Sequence, residues 1–297
     1  MTAALAALAS LATLVAVPLA KPGWRGHLSL HYTLDGERCI ALDRHSGPLR
    51  VLQRLYPEGQ AICHHVLVHP PGGVVGGDVL EVDARLDAGT HAVITTPGAT
   101  RFYRSAGAAA LQQTTLTLAA GARVEWLPLE TIAYRGCLAQ NRLTLALQPG
   151  AEAMGWDVLA LGLPAAGQAW TEGRFQQHLE LPGVWLERGC IAATDAVLMD
   201  GPLGLAGRRV LATLWFTTGE PLSAARRQAL LDVAREAVAG DALSATTGVT
   251  SPHASVVVLR LLAERVEPAM TLLARVRAAW RLQAWALQAN PPRIWRM

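Results

Sequence analysis

Hydrophobic and polar positions alternate with a period of two along much of this chain. Leu143, Leu145 and Leu147 alternate with Arg142, Thr144 and Ala146, and Gln148-Pro149-Gly150 closes the run. Phe175, Leu179 and Leu181 share one face against Gln176, His178 and Glu180, ahead of Pro182-Gly183. Leu116 and Leu118 alternate with threonines, and residues 120–122 turn the chain into a further apolar run at 124–127. Short alternating runs punctuated by Gly and Pro predict half-buried β-strands. Residues 62–68 and 79–86 read the same way. The pattern predicts a β body from Gly26 to about Phe216, as an antiparallel sandwich, a barrel or a coiled sheet.

The C-terminal part changes period. Ser223 is placed to cap a helix running to Ala239 and stopped by Gly240, with Leu230, Val233, Ala234, Ala237 and Val238 inward. Residues 256–262 read as a buried strand. Pro268 opens a second helix with the stripe Leu273, Val276, Trp280, Ala284 and Leu287, ended by Asn290-Pro291-Pro292. The expected division is an apolar extension over residues 1–22 and one domain over 23–297. Within that domain, 23–216 is the β-rich body and 217–297 a mixed part whose helices pack on it. The fold class is mainly β, α+β overall.

Composition narrows the chemistry. Hydrophobic residues make up 51% and charged residues 16%, with net charge +3, which suits a well-buried globular chain and carries no nucleic-acid signature. Lys21 is the only lysine, so there is no Walker lysine for a nucleotide phosphate and no interior lysine for a Schiff base. Cys39, Cys63, Cys137 and Cys190 are scattered without a C-x-x-C pair, as expected of reduced thiols in a cytosolic protein. The first twenty residues carry no charge. They read as a non-membrane extension in preference to a signal peptide, which needs a basic n-region, or a span, for which they are barely long enough.

Two loops stand out. HPPGGVVGGD places His69, Pro70, Pro71, Gly72, Gly73, Gly76, Gly77 and Asp78 between two strands. Four glycines and two prolines there demand a specific folded-back loop. Asp78 is expected to cap backbone donors in it. TTPGATRFYRS follows, with Thr96, Pro97, Gly98, Arg101, Tyr103, Arg104 and Ser105. Its paired arginines and aromatics read equally as half-buried packing or as a partner interface. In EWLPLET, Glu125 and Glu130 flank a Pro128 bend, a spacing that serves acid–base work, cation binding or surface salt bridges. His64-His65 and His69 form the densest His group, and the adjacent pair must face opposite sides of a strand. With Cys63, Asp78 and Asp83, these suit a labile nickel or zinc contact. Arg275, Arg277, Arg281, Arg293 and Arg296 read as a solvated helix face. G-x-S-x-G, H-E-x-x-H and G-x-G-x-x-G motifs are absent. A metal-dependent hydrolase on a β scaffold and a secreted β-rich binding protein stay open as alternatives.

HPPGGVVGGD, TTPGATRFYRS, EWLPLETIAYRG and the terminal PPRIWRM, in this order, resemble the urease accessory protein family called UreD, or UreH in some organisms. The resemblance runs from about Gly47 to the C-terminus. It implies a stack of β-strands with two helices and a cytoplasmic, non-enzymatic scaffold. Such a scaffold binds apo-urease and, with UreF and the GTPase UreG, enables nickel insertion. It implies no permanently held cofactor, only transient contact with nickel, along an internal route proposed for the family. Asp78, Asp83, Glu125 and Glu130 are the candidates for lining that route, and His69 for structuring its mouth. Arg101, Tyr103, Arg104, Trp280, Arg293 and Trp295 are the candidate partner contacts. Leu163, Gln168, Leu129 and Arg101 depart from the family pattern, where Arg, Glu, Gln and Lys are expected.

Overall fold

The computed structural model describes residues 23–296, and the extension expected over residues 1–22 lies outside the described residues. In chain order the strands are β1 (Arg25–Asp35), β2 (Arg38–Ser46), β3 (Arg50–Leu55), β4 (Ile62–Val68), β5 (Val79–Leu86), β6 (His91–Thr95), β7 (Thr100–Phe102), β8 (Ala110–Leu118) and β9 (Arg123–Leu127). They continue with β10 (Thr131–Ala133), β11 (Cys137–Leu147), β12 (Glu152–Leu163), β13 (Gln168–Ala169), β14 (Gly173–Leu181) and β15 (Trp185–Ala192). The short helix α1 (Ala196–Asp200) leads to β16 (Val210–Thr218), α2 (Ala224–Val238), β17 (Thr247–His253), β18 (Val256–Ala263) and α3 (Val266–Trp285).

From β4 to β14 the chain alternates between two sheets. One runs β15-β14-β11-β8-β5-β1-β2 and the other β17-β18-β16-β12-β9-β6-β4-β3. The central strands are parallel: β1, β5, β8, β11 and β14 in the first sheet, β4, β6, β9 and β12 in the second. Each successive pair (β4 with β5, β6 with β8, β9 with β11, β12 with β14) is one turn of a β-solenoid, four in all. Antiparallel pairing is confined to the two ends of the stack.

The expected stack of many short strands is therefore present, whereas an antiparallel sandwich or barrel is not. The alternation of side chains reports the two faces of one strand and carries nothing about the direction of its neighbour. The connections decide that, since each strand leaves for the opposite sheet and returns one turn later in the same direction. Strands of the second sheet are covered on both faces, and β4 and β6 are accordingly buried almost throughout.

Two cores result. Between the sheets pack Leu30, Leu80, Val82, Leu116, Leu145, Phe175, Trp215 and Val258, with their neighbours. Between the second sheet and the helices pack Val93, Trp156, Leu214, Phe216, Leu259, Leu230, Leu273 and Trp280. Ser223 caps α2 as expected, its hydroxyl accepting from the Arg226 N–H at 3.2 Å. α3 starts two residues before Pro268, which occupies the first turn, where a missing N–H breaks no helical bond. It ends at Trp285, short of Asn290, because Ala286 turns left-handed at φ 54°.

The arginines of α3 correct a second expectation. Arg277 and Arg281 are buried beneath the helix, not solvated on it. Trp280 is also fully buried, its ring edge-on to Phe216 and its indole N–H donating to the Leu230 carbonyl at 2.9 Å. It is a core residue and presents no surface to a partner.

Candidate functional site

The two unusual loops interlock at one side of the solenoid. The Val74 N–H donates to the Arg101 carbonyl at 2.7 Å, and the Tyr103 N–H returns a bond to the Val74 carbonyl at 2.9 Å. The glycines are dictated by this closeness. A Cβ on Gly73 would stand 2.0 Å from the Tyr103 ring, and one on Gly76 would stand 2.2 Å from Ser105 Oγ. Gly72 and Gly77 have φ of 78° and 97°, which only glycine adopts freely. Asp78 does what its position suggested: Oδ1 accepts from the Trp24 N–H at 2.9 Å and Oδ2 from the Val75 N–H at 3.0 Å. Both oxygens are thereby committed to the loop. Thr96 accepts from the Leu129 N–H at 2.9 Å and donates to the Gly98 carbonyl at 3.0 Å, tying the second loop to the Pro128 bend.

Behind the loops lies a cavity of about 280 Å³. His69, Gly73, Pro97, Gly98 and Arg101 line its outer end, and Gln112, Thr114 and Trp126 its inner end, between the sheets. Burial lowers the His69 imidazole below its ordinary value, partly offset by Asp78, so it is neutral at physiological pH. Glu130 stands half-buried beside this mouth, its carbonyl accepting from the Thr100 N–H at 2.9 Å.

From the cavity a polar strip crosses the intersheet core. Gln112 of β8 is in register with Asn141 of β11, which is in register with Gln177 of β14. On the facing sheet Asp157 of β12 is in register with Thr213 of β16, and Thr213 with Arg260 of β18. Two rows of polar side chains thus run across the strands and face each other. They meet at Asp157, which accepts from Asn141 Nδ2 at 3.0 Å and from Gln177 Nε2 at 3.2 Å. Its partners are neutral amides, and among the described residues no cation pairs with it. Burial lifts its carboxyl from 3.8 to about 6, against the pull of the Gln177 and Asn141 hydrogen bonds, and the Glu187 charge adds to the rise. Gln112, Asn141, Asp157, Gln177 and Thr213 each keep some accessible surface, while Leu116, Leu145, Leu159, Phe175 and Trp215 in the same strands have none. The strip therefore borders space that a water molecule can reach.

At the far end Glu187 of β15 reaches across to the second sheet. Arg260 grips it in a fork, with Nε 3.0 Å from both carboxylate oxygens and Nη2 2.5 Å from Oε2. The Thr213 hydroxyl adds a bond to Oε1 at 3.1 Å. Neither Asp157 nor Glu187 was singled out from the sequence. A signal existed: Asp157 interrupts the apolar run 153–161, and Arg260 interrupts 256–262. A charge that interrupts an apolar strand run calls for a reason.

The remaining candidates sit elsewhere. Asp83 is on the outer face of the first sheet, where it pairs with His27 at 2.7 Å, and so does not line the interior. Glu125 is fully buried on the helix side of the second sheet. Arg277 Nε donates to its Oε2 at 2.7 Å, Arg281 Nε lies 3.0 Å from Oε1, and His91 Nε2 is 3.3 Å from Oε1. Burial alone would raise this carboxyl, but Arg277, the His91 hydrogen bond and Arg281 overcome it and hold it at about 2. Burial also lowers Arg277, yet a guanidinium stays protonated, so the pair is ionic. Arg281 continues to Glu58 at 2.8 Å, which accepts from His64 at 2.8 Å. This network fastens α3 to the sheet and leaves Glu125 no free oxygen.

His65 faces the other way, 2.6 Å from the Tyr32 hydroxyl, as the strand geometry required of the pair. Arg101 and Arg104 are exposed, and Tyr103, at the edge of exposure, stacks on Tyr134. Arg293 is exposed, whereas Trp295 is tucked against Trp156 and donates to Thr95 Oγ1 at 2.8 Å. Leu163 and Gln168 are directly opposed in the β12–β13 hairpin, so the two departures from the family pattern fall on one cross-strand pair and leave no lone charge. Among the described residues no three His, Cys, Asp or Glu side chains converge as a metal site, and no helix is long and apolar enough to cross a membrane.

The comparisons with known proteins agree with one another. A family model described as UreD urease accessory protein matches residues 25–296. A "Urease accessory protein UreD" from Leptothrix cholodnii is 62% identical over 275 residues, covering 92% of this chain and 99% of that protein. Proteins of the same description from Paracidovorax citrulli and Methylibium petroleiphilum are 60% and 53% identical, with the same coverage of 92% and 99%.

Proposed function

The chain belongs to the UreD urease accessory protein family, a family of non-catalytic urease maturation factors, and from that premise we propose that it is a cytoplasmic scaffold that passes nickel along its intersheet strip. Its partners in this reading are apo-urease, UreF and the GTPase UreG. The chain's single lysine and missing phosphate-binding motif suit a role in which a partner hydrolyses GTP. Nickel is cargo here and not a resident cofactor.

One observation carries the reading: Asp157, a half-buried carboxylate with neutral partners, lies in line between the motif-loop cavity and Glu187. A partly desolvated carboxylate with no cation beside it attracts a dication more strongly than one in bulk water. Amide and hydroxyl oxygens beside it are weak ligands, and a single carboxylate closes no tight cage. A dication is thus drawn in without being trapped. Asp78, with both oxygens spent on the backbone, shapes the entrance instead of binding the cargo. Neutral His69 adds no repulsive charge there.

The test is maturation of urease with Asp157→Leu, which keeps the branched outline of the side chain and removes the charge. Pull-down of apo-urease should be unchanged, while nickel per urease and urease activity fall at least tenfold. Full nickel loading by this variant would remove the strip from the mechanism.

A further inference from the structure

The far end of the strip is closed by an ion pair near the surface. Glu187 and Arg260 belong to opposite sheets, and their side chains remain 32% and 44% exposed. A pair this open to solvent is screened by salt and exchanges with other ions, so it is a fastening that can be undone. Arg260 also stands two strands from Asp157 in the same cross-strand row, about 10 Å away at the usual strand spacing. Its guanidinium serves Glu187 and leaves Asp157 with amides alone.

Building on the proposed route, we infer that Arg260 is a built-in competing cation. It occupies Glu187, so a divalent ion at Asp157 leaves the strip only by displacing the guanidinium. The geometry suits an exchange. The guanidinium contacts both carboxylate oxygens, as a bidentate dication would, and its side chain is 44% exposed, so it can swing out toward solvent. Thr213 bridges the two positions, since it lies between Asp157 and Arg260 in register and donates to Glu187. Asp157 and Glu187 would then be alternative stations for one ion. The outlet stays shut until the ion, or a partner surface that draws Arg260 away, releases Glu187.

The experiment measures equilibrium binding of Ni²⁺, supplied as the chloride and followed by dye competition, to the full-length chain in its accessory complex. Arg260→Met should bind at least tenfold tighter than the parent, because Glu187 is freed beside Asp157 and Thr213. Arg260→Met combined with Glu187→Gln should lose that gain. Arg260→Lys, which keeps the charge but not the fork, should fall between and serves if the Met variant folds poorly. Arg260→Met and Arg260→Lys both binding like the parent, while Asp157→Leu still impairs maturation, would overturn the exchange and leave the route standing. Tighter binding by Arg260→Met, with Asp157→Leu fully competent in maturation, would support competition at Glu187 and end the route.

Discussion

Replacing Asp157 by Asn should make the protein more stable and less useful. The carboxylate is held between two amides, with its ionisation raised from 3.8 to about 6. A rise of that size amounts to about 3 kcal/mol between the protonated and ionised forms. Because water reaches the strip, screening reduces this ceiling, and about 1–3 kcal/mol is the expected range. The sign follows from linkage. Below about pH 4 the group is protonated in both folded and unfolded chains, and the parent keeps its full stability. Between about pH 4 and 6 the unfolded chain releases the proton while the folded one retains it, so stability falls as pH rises, and above about pH 6 the loss is complete. Asn does not titrate.

Thermal or urea unfolding from pH 4 to 8 should therefore show parent and variant converging at the acid end. At pH 8 the variant should be ahead by roughly 2–8 °C in Tm, given the usual scaling for a chain of this size. Comparing the two at each pH removes the contributions of all other titrating groups. In the maturation assay the same variant should load less nickel despite its higher stability, the trade expected where a site is kept strained for use. A stability difference that does not change with pH, or one favouring Asp at pH 8, would show that the carboxylate carries no uncompensated charge, and the argument from Asp157 would fail with it.

Glu125→Ala leaves Arg277 without its carboxylate beneath α3 and should cost about 3–5 kcal/mol in denaturant unfolding, as breaking a buried pair does; a loss below about 1 kcal/mol would mean the network is not what seats the helix. Gly73→Ala forces a methyl into the Tyr103 ring and should destabilise by about 1–3 kcal/mol, with most of the loss recovered when Tyr103→Ala is added; no recovery would place the strain elsewhere. Asp78→Ala frees the Val75 and Trp24 amides and should cost about 1–2 kcal/mol, lowering urease activation while the complex still forms; unchanged nickel in the matured urease would detach this loop from the entrance.

The residues that were legible from sequence are those whose backbone demands are local. The glycines and prolines of residues 69–78 required a folded loop whatever surrounded them, Ser223 required a helix start, and Asp78 a cap. What was not legible depends on which segments meet. Glu125 read as a route-lining acid or a surface salt-bridge partner and Arg277 as a solvated base, because each is ordinary in its own neighbourhood, and their pairing spans 152 residues. Strand direction was missed for the same reason, since period two is identical in parallel and antiparallel sheets.

The polar strip is a sharper case. Asn141, Asp157, Gln177 and Arg260 each break an apolar or alternating run, and singly each reads as a flaw. Register turns them into rows: successive solenoid turns stack Gln112, Asn141 and Gln177, and the antiparallel strands that end the second sheet align Asp157, Thr213 and Arg260. A polar residue placed once per turn at the same height makes a continuous line through an apolar core, even though no short stretch of sequence contains it. The cost of burying those groups is offset where they bond to one another and left standing at Asp157, whose partners are neutral. A fold that needed only stability would have no use for that carboxylate, and a fold that had to hold a metal tightly would have surrounded it with further ligands. Its position between those two limits is what suits a cation in passage.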